Sequence, residues 1–377
     1  MNAKRSNLGY VPELDGMRGL AVLAVIMFHA RVPWFRGGFI GVDIFFVLSG
    51  FLITSLLVQE YNSRQHIDLK NFYMRRVLRL GPALVAFLAI FVSISLLMLD
   101  AEKARSNIID TLITLFYFTN WSWAFQIHPS QPLGHTWSLS IEEQFYIIWP
   151  TLLITFLRFT RSRINVIFAV VLLLLSSWLT RICLAAGGAS VDRLYDGLDT
   201  RGDELLIGCL LGIILSSNLI KEHHQYQIEN VLKFIGPLSV ISLLLSSIFM
   251  RLSKMYMYYW GFLVIEFSAI IIILDVFISQ KSIIKRILLI KPLAWIGKIS
   301  YGLYLWHYLI FYTMRGLGFR HIVTMTIGTG VTFLVASASY YFLERPFLKL
   351  KNRLTPTPSN NATTSEVALL HPPPHPG

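Results

Sequence analysis

The 377-residue sequence contains little charge and almost no cysteine, and both shortages exclude whole classes of protein. Only 14% of its residues are charged whereas 54% are hydrophobic, with a mean hydropathy of +0.58, so an intrinsically disordered chain is excluded and a membrane protein is indicated. Both cysteines, Cys183 and Cys209, lie within apolar segments, which excludes a disulfide scaffold. The net charge of +12 comes without a basic stripe carrying interleaved aromatics, so no nucleic-acid partner is predicted.

Several well-known catalytic motifs are absent as well. The chain has no Walker phosphate loop, no His-Glu-x-x-His zinc helix, no paired-cysteine site and no Gly-x-Ser-x-Gly elbow. No metal is therefore predicted, and the adjacent His223 and His224 are interpreted as a solvated loop pair. The sequence also lacks the internal repeat that is typical of many transporters.

Long apolar stretches dominate the chain and predict an all-α, polytopic membrane helix bundle of about ten transmembrane helices. The predicted crossings are residues 16–31, 39–59, 79–99, 140–157, 165–186, 203–219, 231–250, 257–278, 299–316 and 322–344. About two thirds of the lysines and arginines then fall on one side, which predicts that both termini are cytoplasmic. Residues 1–350 form the predicted membrane domain, and residues 351–377 the predicted disordered cytoplasmic tail.

Two of the predicted outer loops are long, residues 100–139 and 187–202. Both mix aromatic, acidic and arginine residues, a composition that suits a bound sugar. A solvated, salt-bridged loop explains the same composition, so both interpretations stay open.

The first predicted helix carries two ionisable residues on one face. Arg18 and His29 are eleven residues apart, which corresponds to about three turns and about 16 Å along the helix axis. Ionisable groups inside membrane helices usually face the bundle interior and indicate a functional site. Because 16 Å is too far for both to contact one reacting atom, we predict a long substrate between them, such as an acyl-coenzyme A with its phosphates near Arg18. The alternatives are a snorkelling Arg18 and a hydrogen-bonded, interfacial His29.

A group of arginines precedes the third crossing. Arg75 and Arg79 are four residues apart and share a helix face, and Arg76 and Arg79 are three apart, so two guanidinium groups can bind one phosphate. An ordinary cytoplasmic anchor of the membrane helix is the alternative interpretation.

Two adjacent glutamates lie at the start of the fourth crossing. Glu142 and Glu143 point about 100° apart, so at most one of them faces a central site, and Ser138 shares the face of Glu142. Either carboxylate can instead complement the helix dipole. The flanking aromatic residues, with Trp137 among them, favour a substrate site over capping alone.

Further candidates lie on the second and ninth crossings. Asp43 is a candidate to orient a histidine, and the Ser49–Gly50 pair indicates a close contact between helices. Tyr301 and His307 lie on a broad aromatic face of the ninth crossing, for which an interfacial aromatic belt is the alternative explanation.

Six segments resemble, in the same order, the motifs of the acyltransferase 3 family of bacterial integral membrane acyltransferases. They are LDGMRGLAVLAVIMFH, GGFIGVDIFFVLSGFLIT, FYMRRVLRLGPA, HTWSLSIEEQFYIIWP, ISYGLYLWH and YYFLERPF, and together they extend over nearly the whole chain. The resemblance implies transfer of an acyl group, usually acetyl, from a cytoplasmic acyl-coenzyme A to a sugar hydroxyl, by a multi-pass protein of the bacterial inner membrane.

The resemblance also implies roles for individual residues. His29 would be the essential catalytic histidine, Arg18 its paired motif residue, and Arg75, Arg76 and Arg79 the donor-binding motif. The remaining candidates are the catalytic carboxylates Glu142 and Glu143 and the substrate or supporting residues Asp43, Trp137, Ser138, Tyr301 and His307.

The predicted activity is O-acetylation of a cell-envelope glycan, free or lipid-linked, such as lipopolysaccharide O-antigen or exopolysaccharide, with acetyl-coenzyme A as donor. A macrolide or another secreted glycoside is the alternative acceptor. His29 acts either as general base or as a nucleophile that forms an acyl-imidazole, and the residues alone leave both mechanisms open. A transporter that moves an acyl group or a lipid-linked sugar without chemistry is the alternative function.

Many longer relatives carry a C-terminal periplasmic hydrolase-like domain, and this sequence resembles a short form without one. We therefore expect the membrane domain to finish the transfer itself or to pass the acyl group to a separate periplasmic partner.

Overall fold

The computed structural model describes residues 10–160, 162–217 and 219–354, and every regular element within these ranges is helical. The α-helices are α1 (Pro12–His29), α2 (Ile40–Arg64), α3 (Leu69–Met98), α4 (Ala101–Leu115), α5 (Thr119–Ala124), α6 (Trp137–Phe159), α7 (Arg163–Ala186), α8 (Val191–Asp196), α9 (Leu198–Ser216), α10 (Glu222–Phe249), α11 (Phe262–Ile278), α12 (Ile283–Leu288), α13 (Lys291–Lys298), α14 (Ser300–Gly316), α15 (His321–Val323), α16 (Thr329–Ala338) and α17 (Arg345–Leu354).

Short segments of other helix types connect some of these elements. A 3₁₀ turn at Gly134–Thr136 leads directly into α6. Wider, π-helical turns at Met257–Gly261, Thr324–Gly328 and Ser339–Glu344 join their neighbours without a break. Residues 257–278 and residues 321–354 therefore each form one continuous helical rod.

Helices occupy all ten stretches that the sequence predicts as crossings, which confirms the all-α fold class. Within the described residues, six helices are long and apolar enough to cross a membrane, namely Ile40–Arg64, Leu69–Met98, Arg163–Ala186, His223–Phe249, Met257–Ile278 and His321–Leu350. The remaining long helices, α1, α6, α9 and α14, are shorter or carry several ionisable residues. The total of ten crossings and the cytoplasmic location of both termini stay predictions.

The predicted tail, residues 351–377, falls almost wholly outside the described residues. Its first four residues continue the backbone of α17, which ends at Leu354, and the rest lies beyond the described part of the chain.

Local sequence signals explain where individual helices begin. Pro12 occupies the first turn of α1, where its missing N–H costs nothing, and Glu13 and Asp15 complement the positive end of the helix dipole. Asp68 caps α3 by accepting a hydrogen bond from the backbone nitrogen of Asn71 at 3.0 Å.

Helix α2 lies at the centre of the bundle, and α7 and α10 lie at its periphery. In the most apolar part of α2, 78% of the residues are buried, compared with 22% in α7 and 28% in α10. Large apolar side chains such as Phe168 and Leu238 project outward from these peripheral helices, as expected of a surface that faces lipid. The ionisable residues therefore concentrate on the central helices, where other protein groups can satisfy them.

Helices α2 and α9 approach each other closely through two glycines. A Cβ atom added to Gly50 would overlap the carbonyl oxygen of Leu205, and one added to Gly208 would overlap that of Val47. The close helix contact predicted at Ser49–Gly50 is therefore confirmed. It brings the polar residues of α9 against the centre of α2.

Candidate active site

An open cavity lies between α1, α2, α3, α6 and α14. The predicted site residues that line it are Arg18, Arg76, Arg79, Ser138, Glu142 and Tyr301. Four separate helices supply these residues, so the fold brings together groups that are up to 283 positions apart in the sequence.

The cavity carries an excess of positive charge. Arg76 forms an ion pair with Glu143 at 3.0 Å, and Arg18 forms a longer one with Asp15 at 3.7 Å. Arg79 has no carboxylate within 4.0 Å among the described residues. Arg79 therefore lines the cavity without a direct ion pair in the described part of the chain, which favours an anionic ligand.

The two adjacent glutamates of α6 face different neighbours, as the helical geometry predicts. Glu142 lines the cavity and accepts a hydrogen bond from the Ser49 hydroxyl at 2.6 Å. Glu143 turns toward Arg76, whose guanidinium also lies 3.5 Å above the centre of the Tyr146 ring. The structure therefore identifies Glu142 as the carboxylate that faces the cavity, and Glu143 as the one that holds Arg76.

Arg75 lies outside the cavity lining. Its guanidinium is 3.9 Å from the carboxylate of Glu60 on α2. Arg76 and Arg79, which are three residues apart, both line the cavity and can bind one phosphate there. Arg75 and Arg79 cannot do so together, because Arg75 does not line the cavity.

Hydrogen bonds fix the two tyrosines that line the cavity, Tyr301 and Tyr304. A backbone carbonyl can only accept, so the Tyr304 hydroxyl donates to the carbonyl of His135 at 2.6 Å. The same hydroxyl then accepts from Ser138 at 2.6 Å. Tyr301 is fixed in a similar way, because its hydroxyl donates to the carbonyl of Leu80 at 3.1 Å.

A pair of histidines lies just beyond Tyr304. His307 Nδ1 is 2.6 Å from the Tyr304 carbonyl and 3.1 Å from the Leu303 carbonyl, so this nitrogen carries a proton and donates. His307 Nε2 lies 3.0 Å from His29 Nδ1. When both imidazole rings are neutral, His307 Nε2 therefore accepts a hydrogen bond from the N–H at His29 Nδ1. This tautomer leaves the lone pair of His29 on Nε2, where it can act as a base.

Two residues beside this pair, His135 and Arg315, were not predicted from the sequence as members of the site. The ring of His135 stacks on Tyr308 with centroids 4.9 Å apart, and its centroid lies 5.6 Å from that of His307. Arg315 donates to the backbone carbonyl of His29 at 3.2 Å. The signal for His135 was its place at the start of the HTWSLS motif, but Arg315 had none because it lies in an ordinary helix end.

Asp43 does not orient a histidine, and that expectation was wrong. It pairs with Arg201 of α9, and both side chains are fully buried. His307 instead provides the partner of His29. Trp137 belongs to the same buried region, since its ring packs on Tyr195 with centroids 4.5 Å apart and lies 5.8 Å from the Arg201 guanidinium.

The buried ion pair of Asp43 is part of a larger ionic cluster. Arg201 also binds Glu204 at 2.9 Å, and Arg181 of α7 binds Asp203 at 2.6 Å. The cluster, with Glu266 of α11 as its last member, links α2, α7, α9 and α11 without exposure to solvent.

Three of these carboxylates also bear on the prediction that the chain holds no metal. Oxygens of Asp203, Glu204 and Glu266 lie within 4.8 Å of one another, a spacing that a cation can bridge. All three already pair with arginines, Asp203 and Glu266 with Arg181 and Glu204 with Arg201.

The two long predicted loops contact each other on the same side of the bundle. Arg193 lies 5.4 Å from the ring centre of Phe125 and pairs with Asp199, while Gln126 donates to Asp192 at 2.8 Å. These contacts fit the salt-bridged interpretation of the loops, and the sugar-binding interpretation stays a prediction.

The chain is similar in sequence to known acyltransferases. A family model described as an acyltransferase domain matches residues 11–341. The putative peptidoglycan O-acetyltransferase YrhL of Bacillus subtilis (strain 168) is 38% identical over 365 residues, which is 92% of the chain and 56% of that protein. The peptidoglycan O-acetyltransferase OatA of Listeria monocytogenes is 36% identical over 353 residues, 90% of the chain and 56% of that protein.

A third similar protein is the O-acetyltransferase OatA of Staphylococcus aureus (strain NCTC 8325), which is 38% identical over 353 residues, 90% of the chain and 57% of that protein. The chain thus spans a little over half the length of the curated relatives it matches. No solved structure matches it.

Proposed function

The chain belongs to the acyltransferase 3 family, and from this premise we propose that it is a membrane O-acetyltransferase that moves an acetyl group from acetyl-coenzyme A to a glycan hydroxyl. One observation carries the proposal. Tyr304 lines the arginine-lined cavity, and one helical turn further along α14 lies His307, whose Nε2 is 3.0 Å from His29 Nδ1.

The donor fits the charge of the cavity. Coenzyme A carries phosphate groups at one end and its thioester at the other. Arg18, Arg76 and Arg79 line the cavity together, and guanidinium groups bind phosphate oxygens through paired, charge-assisted hydrogen bonds. We propose that these arginines bind the phosphates while the pantetheine arm extends past Tyr304 toward His29.

The chemistry follows from the tautomer of His29. Its Nε2 takes the proton of a sugar hydroxyl, and the hydroxyl oxygen attacks the acetyl carbonyl carbon. The carbon–sulfur bond then breaks, and the proton passes from His29 to the departing thiolate, which leaves as coenzyme A. His307 stabilises the transient imidazolium by accepting its Nδ1 hydrogen bond.

The names of the relatives favour a different acceptor from the one expected from sequence. Two of them are called peptidoglycan O-acetyltransferases, so we propose a peptidoglycan glycan strand rather than lipopolysaccharide O-antigen or exopolysaccharide. Family membership favours group transfer over transport without chemistry. The spanning helices support a multi-pass membrane protein, and we propose the bacterial inner membrane as its location.

Label transfer tests the proposed activity. Membranes that contain the full chain are incubated with acetyl-labelled coenzyme A and soluble peptidoglycan fragments, and base-labile label is counted on the glycan. We expect label in proportion to the amount of chain. Glycan labelling equal to that of membranes without the chain would refute the proposal.

Replacing Arg79 by glutamine should weaken donor binding. Because Arg79 has no carboxylate partner among the described residues, the substitution removes a positive charge without disrupting an ion pair. We expect the KM for acetyl-coenzyme A to rise about tenfold with little change in kcat, as for the loss of one charge-assisted hydrogen bond.

Arg75→Gln is the matched control for that prediction, since Arg75 faces Glu60 and does not line the cavity. Its KM should stay within about twofold of wild type. An equal rise in both variants would show that the arginines act through bulk charge and not through the cavity.

Replacing His307 should impair turnover without altering substrate binding. A histidine that accepts from His29 Nδ1 positions the base but touches no substrate in this account. We expect His307→Phe to lower kcat by about 10- to 100-fold with KM unchanged. His307→Gln should recover part of the loss, because its amide oxygen can accept the same hydrogen bond. Equal activity of the two variants would contradict the positioning role.

A further inference from the structure

The end of the bundle that carries His29 is strongly basic. Three segments lie there, residues 30–38, 250–256 and 315–321, the last of which starts in the final turn of α14. They contain six lysines and arginines and no aspartate or glutamate: Arg31, Arg36, Arg251, Lys254, Arg315 and Arg320. We call these six residues the basic rim. The predicted topology puts the rim on the outer side, where lysine and arginine are normally depleted, so orientation in the membrane does not explain it.

The rim is directly connected to His29. Arg315 donates to the His29 backbone carbonyl at 3.2 Å, and His321 lies 3.0 Å from the carbonyl of Arg31. Residues 30–38 also contact the last turns of α10, which leads into residues 250–256, because the Gly37 nitrogen donates to the carbonyl of Ser247 at 2.9 Å. A charged group bound at the rim would therefore lie beside the catalytic histidine of the proposed function.

No carboxylate neutralises the rim within the described part of the chain. None of its six members forms an ion pair there, and Arg31, Arg36 and Arg320 are exposed. Like charges also repel each other within the rim, since the positive charge of Arg31 acts on that of Arg315. Mutual repulsion of this kind is unfavourable unless an anion binds between the groups.

The rim also borders an open cleft. The cleft is lined by Pro33, Arg320, His321, Ile322 and Met325, so a rim arginine and a histidine face the same opening. The segment after His29 carries two non-glycine residues with positive φ, Arg31 at 56° and Trp34 at 73°, a strained conformation that is often found at binding sites.

From these observations we propose that the basic rim is an acceptor site selective for anionic glycans, in which Arg31, Arg315 and Arg320 bind a carboxylate or phosphate next to the hydroxyl that reacts. This inference rests on the proposed function and specifies its acceptor class. The donor enters at the arginine-lined cavity and the acceptor at the rim, so the two substrates approach His29 from opposite ends of α1.

The test compares two acceptors that differ only in charge. One is a soluble peptidoglycan fragment with free carboxylates, and the other is the same fragment after methyl esterification. We expect the wild-type chain to acetylate the free fragment with a KM at least about tenfold lower, as expected for one charge-assisted contact. The double variant Arg31→Gln, Arg320→Gln should lose this preference and acetylate both fragments with similar KM values.

Arg105→Gln is the matched control, since Arg105 is an exposed arginine on α4 that belongs to none of the three rim segments. It should keep the wild-type preference. A double variant that still prefers the free fragment would overturn the acceptor site. Equal acetylation of the two fragments by the wild type would overturn it too, and would leave the proposed O-acetyltransferase activity standing.

Two further experiments distinguish binding of the glycan from effects on catalysis and from binding of lipid. Calorimetric binding of the free fragment without donor tests the rim independently of catalysis, and we expect binding by the wild type that is about tenfold weaker in the double variant. Nanodiscs of phosphatidylcholine with and without phosphatidylglycerol test whether the rim binds lipid headgroups instead. An effect of the double variant that needs phosphatidylglycerol and ignores acceptor charge would assign the rim to lipid and overturn the proposal.

Discussion

The His29→Ala variant is expected to transfer acetyl groups about 10²- to 10⁴-fold more slowly than the wild type, the range typical of a lost general base. The physical reason is the tautomer that His307 imposes, which leaves the Nε2 lone pair of His29 as the base. The measurement is the initial rate of label transfer from acetyl-coenzyme A to a peptidoglycan fragment at saturating concentrations of both.

A matched histidine substitution controls for the loss of a ring. His223→Ala alters an exposed residue at the start of α10 and should keep the wild-type rate within about twofold. A His29→Ala variant that keeps more than a tenth of the wild-type rate would remove His29 from the chemistry. Labelled protein trapped before acceptor is added would favour the acyl-imidazole route over direct transfer.

The second large effect is expected on stability. Arg201→Leu removes the positive charge between Asp43 and Glu204, three groups that are fully buried. Two carboxylates would then remain uncompensated in the bundle interior, which typically costs about 3 to 5 kcal/mol of the free energy of unfolding. Unfolding by SDS in mixed micelles, followed by tryptophan fluorescence, measures the loss.

Arg193→Leu is the control for that prediction, because Arg193 pairs with Asp199, whose side chain is 41% exposed. Exposed pairs contribute about 0 to 1 kcal/mol, so this variant should remain near the wild type. Adding Asp43→Asn and Glu204→Gln to Arg201→Leu should restore part of the lost stability. Equal stability of the two single variants would contradict the role of the buried cluster.

Helical periodicity correctly predicted the positions and relative directions of side chains within single helices. Arg18 lies near the start of an unbroken α1 and His29 at its end, and the different partners of Glu142 and Glu143 follow from the 100° step of the helix. Ionisable residues in apolar segments correctly indicated the central helices, because lipid cannot satisfy them.

The sequence did not predict which residues of different helices pair with each other. His29 meets His307 across 278 positions and Asp43 meets Arg201 across 158, and no local pattern specifies which partner a buried polar group finds. The same limit explains the wrong assignment of Asp43 to a histidine. Choosing between Arg75 and Arg76 also required the rotation of α3 against α6, which only the packing determines.

The most direct measurement of the central claim is a mass balance on the purified full chain in nanodiscs, supplied with acetyl-coenzyme A and a peptidoglycan fragment. Free coenzyme A thiol and glycan acetyl ester are quantified in the same sample. We expect one thiol released for each ester formed, with both products lost in the His29→Ala variant. Thiol release without ester, or an unchanged donor and glycan in the wild-type sample, would contradict it.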